Sequence, residues 1–479
     1  VDYYYKKYKI GPVDAITRAM VRIRGSYALA LMFKDYPGEI FVARKDSPLV
    51  IGTAEGASYL ASDVPAILKY TRSVYYIDNL QVGRIKPGEV TFYDLNGDEV
   101  SLPLTEITWD AEAAEKGGFE HFMLKEIHEQ PKVIKDTINS VVKDGNIVLE
   151  DFGLTDDEVK ALSQIYIVAC GSAYHVGVAT QYVIEELTSI PVRVELASEF
   201  RYRRMPLSNE SLVIIISQSG ETADSKAVLN LVKDTAAKSL AIVNVKGSSI
   251  AREADMVIYT HAGPEIAVAS TKAYMVQLAV IYLLAFEMAY AKGKIDEGKC
   301  QRLTAELARM PEVIKETIDK VVDQCQFIST KLITADSLLY IGRGLDYALS
   351  MEGSLKLKEI SYIHSESYAA GELKHGTISL VEEGMPVIAV ATQNRLIEKT
   401  VSNIKEVKAR GAMTIVICDE EADIDKDAAD YLIRIPKRYE VLMPMVATVP
   451  MQLLAYYTSV NKGNDVDKPR NLAKSVTVE

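Results

Sequence analysis

The sequence feature that most constrains the fold is the stretch from Leu212 to Thr222, LVIIISQSGET. It begins as an unbroken apolar run that is too short for a helix of its own and rich in β-branched residues. Such a run is typical of a strand buried on both faces of a parallel sheet. The run stops at Ser217, and the turn SQSGET leads into the helical pattern of residues 223–232. The stretch therefore predicts a buried parallel strand and a polar turn that opens a helix.

The turn itself is a candidate anion site. The first N–H groups of a helix lack partners and the helix dipole favours negative charge there. Ser217, Ser219 and Thr222 can add hydroxyl donors, and Gly220 lets the backbone approach a ligand closely. The turn has no lysine and no Walker pattern, so we expect a sugar phosphate rather than a nucleoside triphosphate. The alternative is an ordinary capped helix start, since Ser and Thr are common capping residues.

Composition excludes several classes of partner. The 479 residues leave room for about two to four domains, and the 48% hydrophobic and 25% charged content is that of a soluble globular protein. A net charge of -12 argues against a nucleic-acid partner. The longest apolar candidate, residues 276–291, is interrupted by Gln277 and Glu287, so no membrane span is predicted.

The four cysteines are scattered without CxxC spacing, so neither a zinc site nor a disulfide framework is predicted: Cys170, Cys300, Cys325 and Cys418. No signal peptide opens the chain. We therefore expect a cytoplasmic protein.

Residues 1–108 are predicted to form a β-rich domain. Short strand-like runs are punctuated by Gly, Pro and Asp, and Asn96-Gly97 lies between alternating segments, which is a strong hairpin signal. The chain starts at Val1 in VDYYYKKY without a Met or a turn, so we expect it to begin part-way through a domain.

Residues 109–130 are predicted to be a connector whose helix, EHFMLKEIHEQP, ends before Pro131. His121 and His128 lie too far apart on it for the i, i+4 pair of a metal-binding helix.

Two α/β units that resemble one another follow, over residues 131–300 and 301–460, and residues 461–479 form a polar tail. Strands that alternate with helices predict doubly wound parallel sheets. Ligands of such sheets sit beyond the carboxyl ends of the strands, where Ser172, Ser217 and Thr222 would lie.

Several segments together resemble one family: CGSAY, SQSGET, EIAVASTK, LKLKEISYIHSES, GELKHG and the terminal KPRNLAKSVTVE. The family is that of the glutamine–fructose-6-phosphate aminotransferases, or glucosamine-6-phosphate synthases. RGSYALALMF, ARKDSPLVIG and SYLASD resemble the later part of its class II (Ntn-type) glutaminase domain, and the α/β units resemble its tandem sugar isomerase (SIS) domains. SQSGET alone indicates only the SIS fold, which sugar-phosphate-sensing regulators also have.

The resemblance implies amination of fructose 6-phosphate by glutamine and isomerisation to glucosamine 6-phosphate. The family's glutaminase works through an N-terminal cysteine, followed by arginine, histidine and Asn-Gly elements, none of which stands before VDYYYKKY. A molecule that begins at Val1 would lack glutamine hydrolysis, whereas one with an earlier part would have both activities; the sequence leaves both open.

The resemblance also implies roles for individual residues. Lys474 would form a Schiff base with the C2 carbonyl, which requires partial deprotonation and hence burial or a nearby cation, with the tail folded over the pocket. Glu359 is the candidate base for proton transfer, with Lys356 one turn earlier either holding it charged or forming only a surface ion pair. His375, in a glycine-bounded loop, is the candidate for ring opening in a neighbouring subunit's site, which implies a homodimer.

The predicted sugar-phosphate contacts are Ser172, Ser217, Gln218, Ser219, Thr222, Val268, Ser270 and Ala473. No metal or organic cofactor is predicted, because the lysine supplies the carbonyl chemistry. Two alternatives remain: an SIS-type deglycase or ketose–aldose isomerase, which has no reason to carry glutaminase-like residues, and a non-catalytic sugar-phosphate sensor.

Overall fold

The computed structural model describes residues 1–64, 66–107, 115–147 and 153–476. Residues 109–114 of the predicted connector and 477–479 of the predicted tail lie outside the described residues.

The N-terminal region is β-rich, as predicted, and opens with α1 (Asp2–Tyr8) and α2 (Pro12–Met20). Its strands are β1 (Tyr27–Leu31), β2 (Ile40–Lys45), β3 (Val50–Ala54), β4 (Ala57–Ala61), β5 (Ser73–Tyr76), β6 (Val82–Lys86), β7 (Glu89–Tyr93), β8 (Glu99–Val100) and β9 (Thr105–Glu106). They form two antiparallel sheets, ordered β1-β2-β6-β7-β8 and β4-β3-β5-β9. The hairpin predicted at Asn96-Gly97 is confirmed, because Tyr93 pairs with Glu99 across a turn in which Gly97 has φ +87°.

The prediction that the connector helix ends before Pro131 is wrong, because α3 (Phe122–Val141) continues through it. Pro131 lacks the N–H that would bond to the carbonyl of Ile127, and the side-chain amide of Gln130 donates to that carbonyl instead, at 2.9 Å. Ile127 and Ile134 on either side are fully buried, so the apolar face holds the helix together across the proline. After α3 come β10 (Val142–Lys143) and β11 (Asn146–Ile147), which pair with each other.

The first α/β unit contains a five-stranded parallel sheet in the order β13-β12-β14-β15-β16. The strand predicted from the apolar run is β14, and all of its residues are buried. The elements are α4 (Asp156–Ala161), β12 (Gln164–Ala169), α5 (Gly171–Thr188), β13 (Val192–Leu196), α6 (Ala197–Phe200), β14 (Ser211–Ser217), α7 (Ala223–Lys233), β15 (Lys238–Val243), α8 (Ser249–Glu253), β16 (Met256–Tyr259) and α9 (Lys272–Ala291).

The second unit repeats this topology, with the parallel order β18-β17-β19-β20-β21. The doubly wound parallel repeat predicted from the sequence is therefore confirmed. Its elements are α10 (Glu297–Ala308), α11 (Met310–Leu332), β17 (Ser337–Gly342), α12 (Leu345–Ser361), β18 (His364–Ala369), β19 (Pro386–Ala391), α13 (Ile397–Lys408), β20 (Met413–Asp419), β21 (Tyr431–Ile435) and α14 (Met443–Asn461).

The two units share one apolar core, which includes Leu284 of α9 and Leu453 of α14. Among the described residues, two helical segments are long and apolar enough to cross a membrane, Lys272–Ala291 and Glu440–Asn461, contrary to the prediction that no segment is. In each of them, 89% of an apolar 18-residue window is buried inside the protein, as expected for core helices. The shared core brings α12 of the second unit against α5 of the first, which decides the composition of the site.

The tail after α14 returns to the first unit. The carboxylate of Asp467 accepts hydrogen bonds from the N–H groups of Phe122 and Met123, both at 2.9 Å, at the start of α3. The backbone carbonyl of Asp467 accepts from the N–H of Val268 at 3.0 Å, and that of Val476 accepts from the N–H of Ala223 at 3.2 Å. The tail is thus docked along the carboxyl edge of the first sheet.

Candidate active site

A cavity of about 460 Å³ lies at the carboxyl ends of β12 and β14. Its walls come from the turns after these strands, the loop before α9, helix α12 of the second unit and the tail. It is lined by every predicted site residue except His375: Ser172, Ser217, Gln218, Ser219, Thr222, Val268, Ser270, Lys356, Glu359, Ala473 and Lys474. Residues from four separate parts of the chain therefore meet in one cavity.

The SQSGET turn is held in shape by its own hydroxyl groups. Ser217 Oγ lies 2.9 Å from Thr222 Oγ1 and accepts from the N–H of Gly220 at 3.0 Å. Gly220 has φ +66°, and a Cβ there would lie 2.0 Å from Ser248 Oγ, so the position admits only glycine. The turn is consequently a rigid, hydroxyl-lined cup in front of α7.

Lys474 reaches the cavity from the tail. Its Nζ donates to Glu265 Oε2 at 2.5 Å and to the carbonyl of Ala267 at 2.8 Å, with Ser270 Oγ at 3.4 Å. Its side chain is only 18% exposed. The tail thus folds over the pocket as the Schiff-base hypothesis requires, but the charged group beside the amine is a carboxylate and not a cation.

A second carboxyl group lies behind the first. Burial opposes ionisation of Glu265, but Lys474 and the N–H groups of the α9 start hold the pKa of Glu265 below its ordinary value. Glu126 of α3 accepts from the N–H of Ile266 at 2.5 Å and of Ala267 at 3.2 Å. Burial, together with the charge of Glu265, raises the pKa of Glu126 to about 8. Of the two carboxyl groups, Glu265 therefore favours the ionised form and Glu126 the protonated form.

On helix α12, a buried lysine forms ion pairs with two glutamates of the same helix. Lys356 Nζ lies 2.6 Å from Glu359 Oε2 and 3.6 Å from Glu352 Oε1. Burial alone would lower the pKa of Lys356, but the charges of Glu359 and Glu352 raise it instead. The side chain of Lys356 is 1% exposed, so the surface ion pair considered from the sequence is not what forms.

Glu352 joins the two units. Its carboxylate accepts from Ser172 Oγ at 2.9 Å and lies 2.8 Å from His175 Nδ1, both on α5. Glu352 is 1% exposed, so these contacts satisfy a carboxylate that is shielded from water.

His375 lies outside this cavity. It ends a short 3₁₀ turn, Glu372–His375, in the second unit and is exposed. It does not line the cavity of its own chain.

Sequence reasoning missed Glu352, Glu265 and Glu126. The i, i+4 spacing of Glu352 and Lys356 was a usable signal, and Glu265 is the first residue of the EIAVASTK segment, in which only Val268 and Ser270 were predicted to contact the sugar. No local pattern marks Glu126, because its partners Ile266 and Ala267 are 140 and 141 residues away.

Comparisons with known proteins agree on the family. The SIS domain family model matches residues 160–286 and 331–462. The chain is 51% identical to the glutamine–fructose-6-phosphate aminotransferase (isomerizing) of Caldanaerobacter subterraneus, over 100% of this chain and 78% of that protein. It is 48% identical to the enzyme of that name from Clostridium acetobutylicum, with the same coverage.

Solved structures show the same architecture. The C-terminal domain of glucosamine-fructose-6-phosphate aminotransferase from Francisella tularensis matches with a TM-score of 0.71 and 38% identity, over 74% of this chain and 100% of that one. Glucosamine-6-phosphate deaminase from Thermotoga maritima, at 24% identity and a TM-score of 0.58, shares the fold over 74% of this chain and 99% of that one. The chain belongs to the family of isomerizing glutamine–fructose-6-phosphate aminotransferases, with two SIS domains behind a β-rich N-terminal region.

Proposed function

We propose that this chain aminates and isomerises fructose 6-phosphate to glucosamine 6-phosphate. The observation that carries the proposal is the convergence of Lys474, the SQSGET turn and the Glu359–Lys356 pair on one cavity. The names of the relatives supply the substrates, fructose 6-phosphate and glutamine.

The SQSGET turn would hold the phosphate. Ser217, Ser219 and Thr222 offer hydroxyl groups, and the N–H groups of the turn and the dipole of α7 favour an anion. Ser172, in the first turn of α5, and Gln218 also line this end of the cavity. The sugar would extend from the cup towards Lys474. Val268, Ser270 and Ala473, which line the same cavity, would contact it.

Lys474 would attack the C2 carbonyl of the open sugar through Nζ. The new C–N bond and loss of water give an imine, which ammonia then cleaves with release of the lysine amine. Nζ must first lose a proton, because an ammonium has no lone pair. Glu265 Oε2, at 2.5 Å from Nζ, is the acceptor in place for that proton.

Glu359 would move a proton from C1 to C2, which converts the ketose imine into the aldose amine. The ammonium of Lys356 lies 2.6 Å from Glu359 Oε2, fixes the position of that carboxylate and is itself held by Glu352 at 3.6 Å. His375, exposed in the second unit, would open the sugar ring in the cavity of a second copy, so we propose a homodimer or a higher homo-oligomer.

The ammonia would come from glutamine. The β-rich residues 1–108 would be part of a class II glutaminase domain, followed by the connector (109–130), the two SIS domains (131–300 and 301–460) and the tail (461–479). Helices α3 and α10 cross two of these boundaries, so the domains adjoin within continuous helices. We also propose a cytoplasmic location.

The test is conversion of fructose 6-phosphate to glucose 6-phosphate without glutamine, and to glucosamine 6-phosphate with ammonium. Lys474→Ala and Glu359→Gln should each abolish turnover, whereas Lys468→Ala, at an exposed lysine of the same tail, should not. Tight binding of the sugar phosphate without turnover by the unmodified chain would refute the proposal and favour a sensor. Turnover that survives Lys474→Ala would refute the assigned role of that lysine.

A further inference from the structure

The two SIS units carry the same strand–turn–helix at their first strand. Strand β12 of the first unit is followed directly by Cys170-Gly171, and β17 of the second unit is followed directly by Arg343-Gly344. Gly171 has φ +58° and Gly344 has φ +56°, so the backbones turn in the same way. Counting from these glycines, Ala173 in the first unit corresponds to Asp346 in the second.

The turns after the third strands also correspond. Ser217 ends β14 beside Val243, and Ala391 ends β19 beside Cys418. Gln218 and Ser219 of the first unit therefore correspond to Thr392 and Gln393 of the second.

In the second unit, this turn is already occupied by an anion of the chain itself. Asp346 Oδ2 accepts from the N–H of Thr392 at 2.8 Å and of Gln393 at 3.2 Å, and Oδ1 accepts from Thr392 Oγ1 at 2.5 Å. Burial raises the pKa of Asp346 to about 6 despite these donors, which leaves a carboxylate at neutral pH. A fully enclosed carboxylate is stable only with such a set of donors.

In the first unit, the same place is open. Ala173 carries no acceptor and lines the cavity together with Gln218 and Ser219. Among the residues that the structure describes, no side chain accepts from the N–H of Gln218 or of Ser219, although the corresponding groups of the second unit are both taken.

We propose that the second SIS unit retains the backbone part of an anion cradle, made of the N–H groups of Thr392 and Gln393 together with the Thr392 hydroxyl, and that the Asp346 carboxylate occupies it in place of a phosphate. The described part of the chain consequently combines an open sugar-phosphate site with a latent phosphate site that is closed from within. This inference rests on the proposed phosphate site of the first unit. Asp346 also ties the start of α12 to β19, and α12 is the helix that presents Lys356 and Glu359 to the active cavity.

The test uses two separate variants of the full chain: Asp346→Ala removes the carboxylate from the second unit, and Ala173→Asp introduces one into the first. Inorganic phosphate is the probe, in equilibrium dialysis with saturating fructose 6-phosphate present to fill the first cradle. We expect Asp346→Ala to bind one additional phosphate per chain that the sugar phosphate does not displace. The unmodified chain and Asp346→Asn, which retains the shape of the side chain and an oxygen acceptor, should bind none. The reciprocal Ala173→Asp should weaken binding of fructose 6-phosphate by about tenfold or more, because two anions would share one cradle.

The outcomes separate this inference from the proposed function. Failure of the unmodified chain to bind fructose 6-phosphate would refute the first site. Normal binding there, with a folded Asp346→Ala variant that takes up no further phosphate, would overturn the latent site alone. If Asp346→Ala does not fold, unchanged affinity of Ala173→Asp for fructose 6-phosphate would overturn the equivalence of the two cradles.

Discussion

Asp467 offers the sharpest test of how the tail brings Lys474 to the cavity. Its carboxylate accepts from two N–H groups at the start of α3, both at 2.9 Å, and the residue is 8% exposed. These N–H groups have no partner within the helix, so the aspartate caps α3 from a different part of the chain. We expect Asp467→Asn to loosen the tail without unfolding the SIS domains.

The size of the effect follows from those contacts. A hydrogen bond to a charged group contributes about 1.5–3 kcal/mol, and an anion at a helix N-terminus about 0.3–1 kcal/mol. Asparagine keeps one acceptor but turns an N–H group towards the other donor, so the loss is roughly 2–4 kcal/mol. At 1.4 kcal/mol per tenfold change, the ratio of docked to detached tail falls by roughly 30- to 700-fold.

The assay is digestion with a nonspecific protease, followed by mass spectrometry of the tail, beside the isomerase rate. Cleavage after residue 462 should accelerate in Asp467→Asn and the rate should fall, while Lys468→Ala, at an exposed neighbour, should match the unmodified chain in both. Unchanged protection and an unchanged rate in Asp467→Asn would show that the capping contact does not hold Lys474 in place.

Three further substitutions test the site. Because the pKa of Glu126 is raised to about 8, its proton is held more tightly in the folded chain, so its contribution to stability is lost as the pH rises from 4.5 to about 8. Glu126→Gln should flatten that dependence in urea unfolding at pH 5 to 9, and an unchanged slope would contradict the assignment. Gly220→Ala should weaken binding of fructose 6-phosphate by about tenfold or more in titration calorimetry. The reason is that the left-handed φ and the contact of the new Cβ with Ser248 strain the turn by about 1–3 kcal/mol. Equal affinity would show that the turn does not hold the phosphate. Glu352→Gln removes a charge partner of Lys356 and should lower the isomerase rate constant more than the affinity, whereas a change in affinity alone would make Glu352 a binding residue.

Local patterns predicted the architecture well because they depend on neighbouring residues. The apolar run of β14 and the turn after it indicate a buried strand and a helix start without reference to the rest of the chain. The repeat of that pattern predicted the second sheet. The same local reasoning failed at Pro131, where the side chain of Gln130 and the buried face of α3 compensate for the missing N–H.

The sequence by itself determined the two parallel sheets, the SQSGET turn and the candidates Lys474 and Glu359, the last two through resemblance to a family. Only the tertiary structure decided that Lys474 faces Glu265, which is 209 residues away, and that Glu352 joins α12 to α5. It also decided that one cradle is open and the other is filled by Asp346. The physical reason is that hydrogen bonds and charge pairing act over a few ångströms in space, and the shared apolar core, not spacing along the chain, brings these groups within that distance.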